Sequence, residues 1–286
     1  MKAVVLVGGF GTRIEEIAQG RPKTMLEIYD DKGNLKPIFY LLLDKINKAN
    51  TYGEMVFDEI LVVTNEKYNK QMNIAVNNYF KENPSTINIK LFNDKTTCNE
   101  NRLGANGDLQ WLKKKMDQQD IDYSDIMILA GDNYFDFDLI EVIDFYETKK
   151  FGSMKPTIFV AKEFEGEELE TAKKGFAILK INESGKIVEM VEKPALKGIE
   201  IDSNIGAIAL YVMGGKNFAL VDNFLEENKE DPKAKDNLGN FGSYLTKHTP
   251  AYAWTWNGKF VDIGTVKAYT DLLAEQEKKF EDTKNL

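Results

Sequence analysis

Two kinds of apolar spacing alternate along this chain: unbroken runs closed by polar turns, and stretches in which apolar residues recur every three or four positions. KAVVLVGG, at the N-terminus, reads as a buried strand. KPIFYLLLDKINKA follows, with Pro37 at the first helical position and its apolar residues on one helical face. EILVVTN, INIKLF and DIMILAGD read as further strands. The stretch around MNIAVNNYF, then GDLQWLKKKM and DLIEVIDFYETKK, read as the helices between and after them. Near-continuous apolar strands separated by helices predict a parallel sheet, covered on both faces and joined by right-handed crossovers.

Beyond residue 150 the pattern changes. PTIFVAKE, GFAILKI, KIVEMVE, IGAIALYV and AYAWTW read as strands with few helices between them, and NESGK is a hairpin turn. TVKAYTDLLAEQEKKFE closes the pattern as a helix. No repeat or low-complexity linker interrupts the chain. The expectation is one α/β domain over residues 1–286, with a Rossmann-like doubly wound layer over 1–150 and a mixed, β-rich extension over 151–286.

Composition narrows the chemistry by exclusion. With 37 basic against 46 acidic residues the formal charge is −9, which argues against a broad nucleic-acid face while leaving room for a small phosphate site. The excess acid can also recruit divalent cations. Cys98 is the sole cysteine and His248 the sole histidine, so an intrachain disulfide, thiolate metal sites and multi-histidine zinc sites are out. A Ser–His or Cys–His pair would have to use His248, whose TKHTP surroundings read as an exposed loop. No apolar run approaches the roughly 18–20 residues of a membrane span, and the chain opens on a strand rather than a leader, so the expected location is cytoplasmic.

In an open α/β sheet ligands gather at the C-terminal ends of strands. Gly8, Gly9, Gly11, Thr12 and Arg13 follow the first strand, with Pro22 and Lys23 close behind; Gly131, Asp132 and Asn133 follow IMILA. A glycine-rich loop lets backbone N–H groups approach an anion, and Arg13 adds a fixed planar cation. The G-x-G-x-x-G dinucleotide pattern is incomplete and the P-loop's G-K-[ST] is absent. A tight turn after an edge strand is the bland alternative.

GGFGTR followed by RPK resembles the signature of nucleotidyltransferases that join an NTP to a sugar 1-phosphate. Glucose-1-phosphate thymidylyltransferases and uridylyltransferases, mannose-1-phosphate guanylyltransferases and phosphocholine cytidylyltransferases belong to this group. The likeness continues in the same order through LGANG (103–107), AGDN (130–133), GFAIL (175–179), VEKP (191–194), IGAIALY (205–211) and FVDIGT (260–265). It implies the nucleotide-diphospho-sugar transferase fold, with a nucleotide-binding half (1–150) and a sugar-phosphate-binding half (151–286). It also implies in-line attack of a sugar phosphate on the α-phosphorus, with Mg²⁺ as cofactor and pyrophosphate as leaving group.

By that resemblance Gly8, Gly9, Gly11 and Thr12 wrap the triphosphate, and Gly131 belongs to the nucleotide site. Arg13 stabilises the leaving pyrophosphate, Lys23 sits at the α-phosphate, and Asp132 and Asp262 hold the Mg²⁺. Gly104 lines the base and ribose, its alternative being a turn that starts the next helix. Asn99 stands where thymidylyltransferases place a longer base-reading glutamine. Lys193 holds the sugar phosphate, and Glu192 accepts from sugar hydroxyls with Gly175 and Asn204 beside it. KKKM (113–116) reads as a solvated helix face, and Trp254 and Trp256 as core.

The chain departs from the best-known thymidylyltransferases at KDNLGNFGSYL, where an acidic E-x-T-D-like segment is missing, and it has no hexapeptide β-helix. Glucose 1-phosphate with dTTP or UTP is the first expectation. Transfer of CMP to phosphocholine and a non-catalytic nucleotide-sugar binder are the alternatives, and the partners are small molecules, with a homo-oligomer possible.

Overall fold

The computed structural model of the chain describes residues 1–51, 56–85 and 87–284. Its strands are β1 (Lys2–Leu6), β2 (Glu27–Tyr29), β3 (Leu35–Pro37), β4 (Glu59–Thr64), β5 (Asn88–Asn93), β6 (Asp125–Ala130), β7 (Asn133–Phe135), β8 (Thr157–Glu163), β9 (Ala177–Ile181), β10 (Ile187–Glu192), β11 (Ile205–Gly214), β12 (Ala251–Trp256) and β13 (Phe260–Asp262). The helices are α1 (Glu15–Ala18), α2 (Ile38–Ala49), α3 (Asn69–Glu82), α4 (Ala105–Gln118), α5 (Leu139–Lys149), α6 (Gly166–Gly175), α7 (Pro194–Lys197), α8 (Gly215–Ala219), α9 (Val221–Glu227), α10 (Leu238–His248) and α11 (Val266–Lys284).

The elements gather into two units, each drawn from separate stretches of chain. A sheet unit takes Met1–Val4, Leu103–Leu129 and Leu139–Gly258; a loop unit takes Val5–Arg102, Ala130–Asp138 and everything from Lys259. In the sheet unit the strand order is β10-β9-β11-β6, with β8 on β11 and β12 on β8. β11 runs antiparallel to β6, β8 and β9, whereas β12 runs parallel to β8. The sheet is therefore mixed. Ile126, Met127 and Ile128 of β6 are wholly buried, as an apolar run without alternation requires. The NESGK turn joins β9 to β10 through Asn182 N–H to Lys186 O (3.0 Å) and Gly185 N–H to Asn182 O (2.9 Å).

In the loop unit β4 and β5 pair in parallel from Glu59 opposite Asn88 to Thr64 opposite Asn93, with α3 as the connection. Below the glycine loop lies a cluster of Ile14, Ala18, Leu26, Ile28, Ile38, Ile263 and Leu272. The early and late parts of the chain thus share one core. Gln276 of α11 fixes Tyr29 twice, accepting from its N–H at 3.1 Å and donating to its carbonyl at 3.0 Å.

Several expectations need correction. Helix α2 starts at Ile38, with Pro37 as the preceding cap rather than the first helical residue. Helices α6 to α10 populate the second half far more than its strand pattern suggests. Lys113 is not simply solvated, since it pairs with Asp117 (2.8 Å) and Asp222 (3.0 Å). Trp254 and Trp256 are half-buried and stacked on each other at 6.1 Å on one face of β12. His248 ends α10 rather than lying in a loop, exposed and stacked on Tyr244.

Candidate active site

Within the loop unit the glycine-rich segment is held from behind. Asn65 Nδ2 donates to Gly8 O at 2.8 Å and the Tyr68 hydroxyl donates to Phe10 O at 3.1 Å. Gly11 has φ +64°, a conformation that glycine reaches without strain, and its carbonyl accepts from Ile14 N at 3.0 Å. The chain turns there into the short 3₁₀ segment Thr12–Ile14, leaving Thr12 and Arg13 exposed. The Lys23 side chain lies along the glycine face: a Cβ at Gly9 would stand 3.6 Å from its Cε, and one at Gly11 3.5 Å from its Cβ. Both are ordinary van der Waals distances, so the lysine packs directly against the two glycines.

Asp132 and Asp262, far apart in sequence, lie at the ends of two neighbouring short strands of the same unit. Asp132 immediately precedes β7, and β13 pairs antiparallel with β7 so that Asp262 faces Asn133. Ile263 N–H donates to Asp132 O at 3.1 Å. Gly131 lets the turn before Asp132 pack on the end of the first strand, for a Cβ there would stand 2.5 Å from Val7 Cγ1 and 3.2 Å from Leu6 O. Lys23 Nζ donates to Asp132 Oδ2. A Cβ at Gly264 would lie 3.0 Å from Arg13 Nη2 and 3.4 Å from Asp262 Oδ1, so the guanidinium and this carboxylate flank one glycine.

Burial lowers the Lys23 pKa, but the charge and hydrogen bond of Asp132 and the charge of Asp262 outweigh it and hold the ammonium above the ordinary lysine range. Lys23 is a charged counter-ion to two aspartates. That donor set also suits Mg²⁺, a hard cation commonly held by one or two carboxylates with waters and substrate phosphates completing its shell. Among the described residues no group of three or more His, Cys, Asp or Glu side chains gathers as a self-sufficient metal cage.

The second group lies in the sheet unit. Glu192 ends β10 and is 6% exposed, while Lys193 adopts φ +47° and ψ +58°. A left-handed lysine directly before a proline is disfavoured twice over, so the surroundings must hold it. Its N–H donates to Phe176 O at 3.0 Å, its Nζ donates to Asn237 Oδ1 at 2.6 Å, and Glu192 Oε1 lies 3.6 Å away. Glu192 Oε2 occupies the space that a Cβ at Gly239 would fill. Burial pushes the Glu192 pKa up, against the opposing pull of Lys193 and Lys197.

Gly104 caps α4 with φ +77°, and a Cβ there would stand 2.5 Å from Lys235 O. The LGANG segment is thus the turn that opens a helix, packed on residues 235 and 236. Asn99 begins the 3₁₀ turn Asn99–Asn101, its carbonyl accepting from Arg102 Nη1 at 2.9 Å. Gly175 is exposed, with open space where a side chain would go, so local packing does not require glycine there. The Asn204 carbonyl accepts from Phe164 N at 2.9 Å just before β11. Sequence reasoning missed Asn237, which touches Lys193; its only trace was the D-N-x-G-x-F departure.

The nucleotidyl transferase family model matches residues 2–279. A glucose-1-phosphate adenylyltransferase of Clostridium acetobutylicum is 28% identical over 145 residues, covering 50% of this chain and 34% of the relative. The bifunctional protein GlmU of Methanococcus maripaludis (strain C7) is 26% identical over 264 residues, covering 92% and 51%. The chain thus spans about half or less of these curated relatives. A UDP-glucose pyrophosphorylase solved in complex with UDP-glucose shares the fold, with a TM-score of 0.71 at 20% identity over 97% of this chain and 98% of that one.

Proposed function

We propose, from the premise that this chain belongs to the nucleotidyl transferase family, that it transfers a nucleotidyl group from an NTP to a sugar 1-phosphate. The observation that carries the reading is the grouping of Arg13, Lys23, Asp132 and Asp262 around the glycine loop. Two cations and two carboxylates at a backbone cradle suit a triphosphate whose charge must be neutralised and redistributed, and they offer little for hydride chemistry. The similarity to a glucose-1-phosphate adenylyltransferase and to a UDP-glucose pyrophosphorylase supports the same reaction class.

In this mechanism a phosphate oxygen of the sugar 1-phosphate forms a bond to the α-phosphorus. The bond from that phosphorus to the bridging oxygen breaks on the opposite side, and pyrophosphate leaves with the electron pair. The attacking group is already an anion, so no histidine base is needed. Lys23 neutralises charge at the α-phosphate and Arg13 at the departing pyrophosphate. Lys193 anchors the phosphate of the second substrate, and Glu192 accepts hydrogen bonds from its hydroxyls. Gly104 and Asn99 border the base and ribose, with Gly175 and Asn204 beside the sugar. Asp132 and Asp262 would hold Mg²⁺, which supplies further neutralisation of the triphosphate when bound.

Glucose 1-phosphate with dTTP or UTP is the substrate pair we place first, and the cytoplasm the compartment. The test is pyrophosphate release by the purified protein with Mg²⁺, the common NTPs and several sugar 1-phosphates. At least one pair should give turnover. A folded protein silent on every pair removes the reading.

A further inference from the structure

Asn237 occupies the position just before helix α10, where an asparagine side chain ordinarily accepts from a backbone N–H of the helix's first turn. Here it makes no such bond. Its Oδ1 accepts from Lys193 Nζ instead. A stabilising local contact has been given up for a contact to a lysine already held in an unfavourable backbone conformation.

The backbone carrying Asn237 is itself fixed. Asn106, fully buried, donates from Nδ2 to the carbonyls of Ala234 and Asn237, both at 2.8 Å, and from its N–H to Lys235 O at 2.9 Å. Gly104 leaves no gap against the same stretch. Lys193 is thus fixed through its backbone at Phe176 and through its ammonium at Asn237. An amide oxygen accepts this hydrogen bond without adding a counter-charge to that of Glu192, whose Oε1 lies 3.6 Å from the ammonium. A second carboxylate, in place of the amide, would compete with an incoming anion for the remaining N–H donors.

We propose that Asn237 is a positioning residue: its amide oxygen aims the Lys193 ammonium at the phosphate of the second substrate without adding a second counter-charge to that of Glu192. This rests on the reading of Lys193 as the sugar-phosphate anchor. Two variants separate positioning from support of the fold. Asn237→Asp keeps the reach, adds a charge and suits the helix N-terminus; Asn237→Ser can cap the helix but is too short to reach Lys193.

Both variants should melt no lower than wild type, leave the KM for NTP unchanged, and raise the KM for the sugar 1-phosphate about tenfold or more, as loss of a charge-assisted contact would. An unchanged sugar-phosphate KM overturns the proposal, as do equal rises in both KM values with a lowered melting temperature. Calorimetric titration with inorganic phosphate reads the Lys193 site without turnover, with Lys193→Ala as the reference. If wild type turns over nothing but binds phosphate through Lys193, and both Asn237 variants weaken that binding, the positioning role stands and the proposed reaction falls. If wild type is active and the variants match it, the reverse holds. A protein that neither turns over nor binds phosphate through Lys193 overturns both.

Discussion

At Glu192 burial raises the carboxyl pKa even though Lys193 and Lys197 pull it down. A carboxyl whose folded pKa lies above its unfolded value binds its proton more tightly when folded. That contribution to stability is fully present below the ordinary glutamate range and is lost as pH rises through the folded pKa. Glu192→Gln removes the titration while keeping the shape. Its melting temperature should gain on wild type as pH rises from about 4 to 7, the window above the ordinary glutamate pKa. A constant difference across that window would contradict the assignment. The residue types of this site were legible in VEKP; the left-handed backbone of Lys193 was not, because nothing in the motif marks φ. Asn237 was hidden for a related reason. An asparagine before a helix reads as a cap, and only the folded chain reveals that its side chain turns elsewhere.

Strands β4 and β6 were readable as elements because they are buried throughout their apolar stretches and so carry no polar positions there. Helices α7 and α8 are four and five residues long, too short to show a helical period, and α6 (GEELETAKKG) buries only Ala172. Helix α6 lies against β9 and α8 against β11, whereas α7 packs on α6. The turn that opens α4 belongs to this scale as well. Gly104→Ala would force a Cβ into the Lys235 carbonyl at a φ that side chains rarely adopt. We expect it to cost about 2–3 kcal/mol, beyond the usual glycine-to-alanine change, measured as the shift in a urea unfolding midpoint. A shift within a few tenths of a kcal/mol would mean that the 235–236 stretch yields freely.

For the molecule as a whole, the interleaving of the two units was the least legible feature. Motifs named Asp132 and Asp262, but their meeting depends on β7 and β13, strands of three residues each, which no periodicity can pair in advance. The loop unit likewise depends on α11, whose Leu272 shares a core with Ile14, Leu26 and Ile28 and whose Gln276 fixes Tyr29. A chain ending at Thr265 should therefore bind a hydrophobic dye and lose cooperative thermal unfolding. Retention of a sharp, wild-type transition would show that α11 is dispensable. The same arrangement sets an order in time. During synthesis the glycine loop emerges well before Ile263 and Leu272, and it cannot settle onto its core until they have left the ribosome. A nascent chain is thereby kept from assembling its glycine loop early, and a ribosome that stalls late releases a chain that exposes this unfinished core to the cell's proteases.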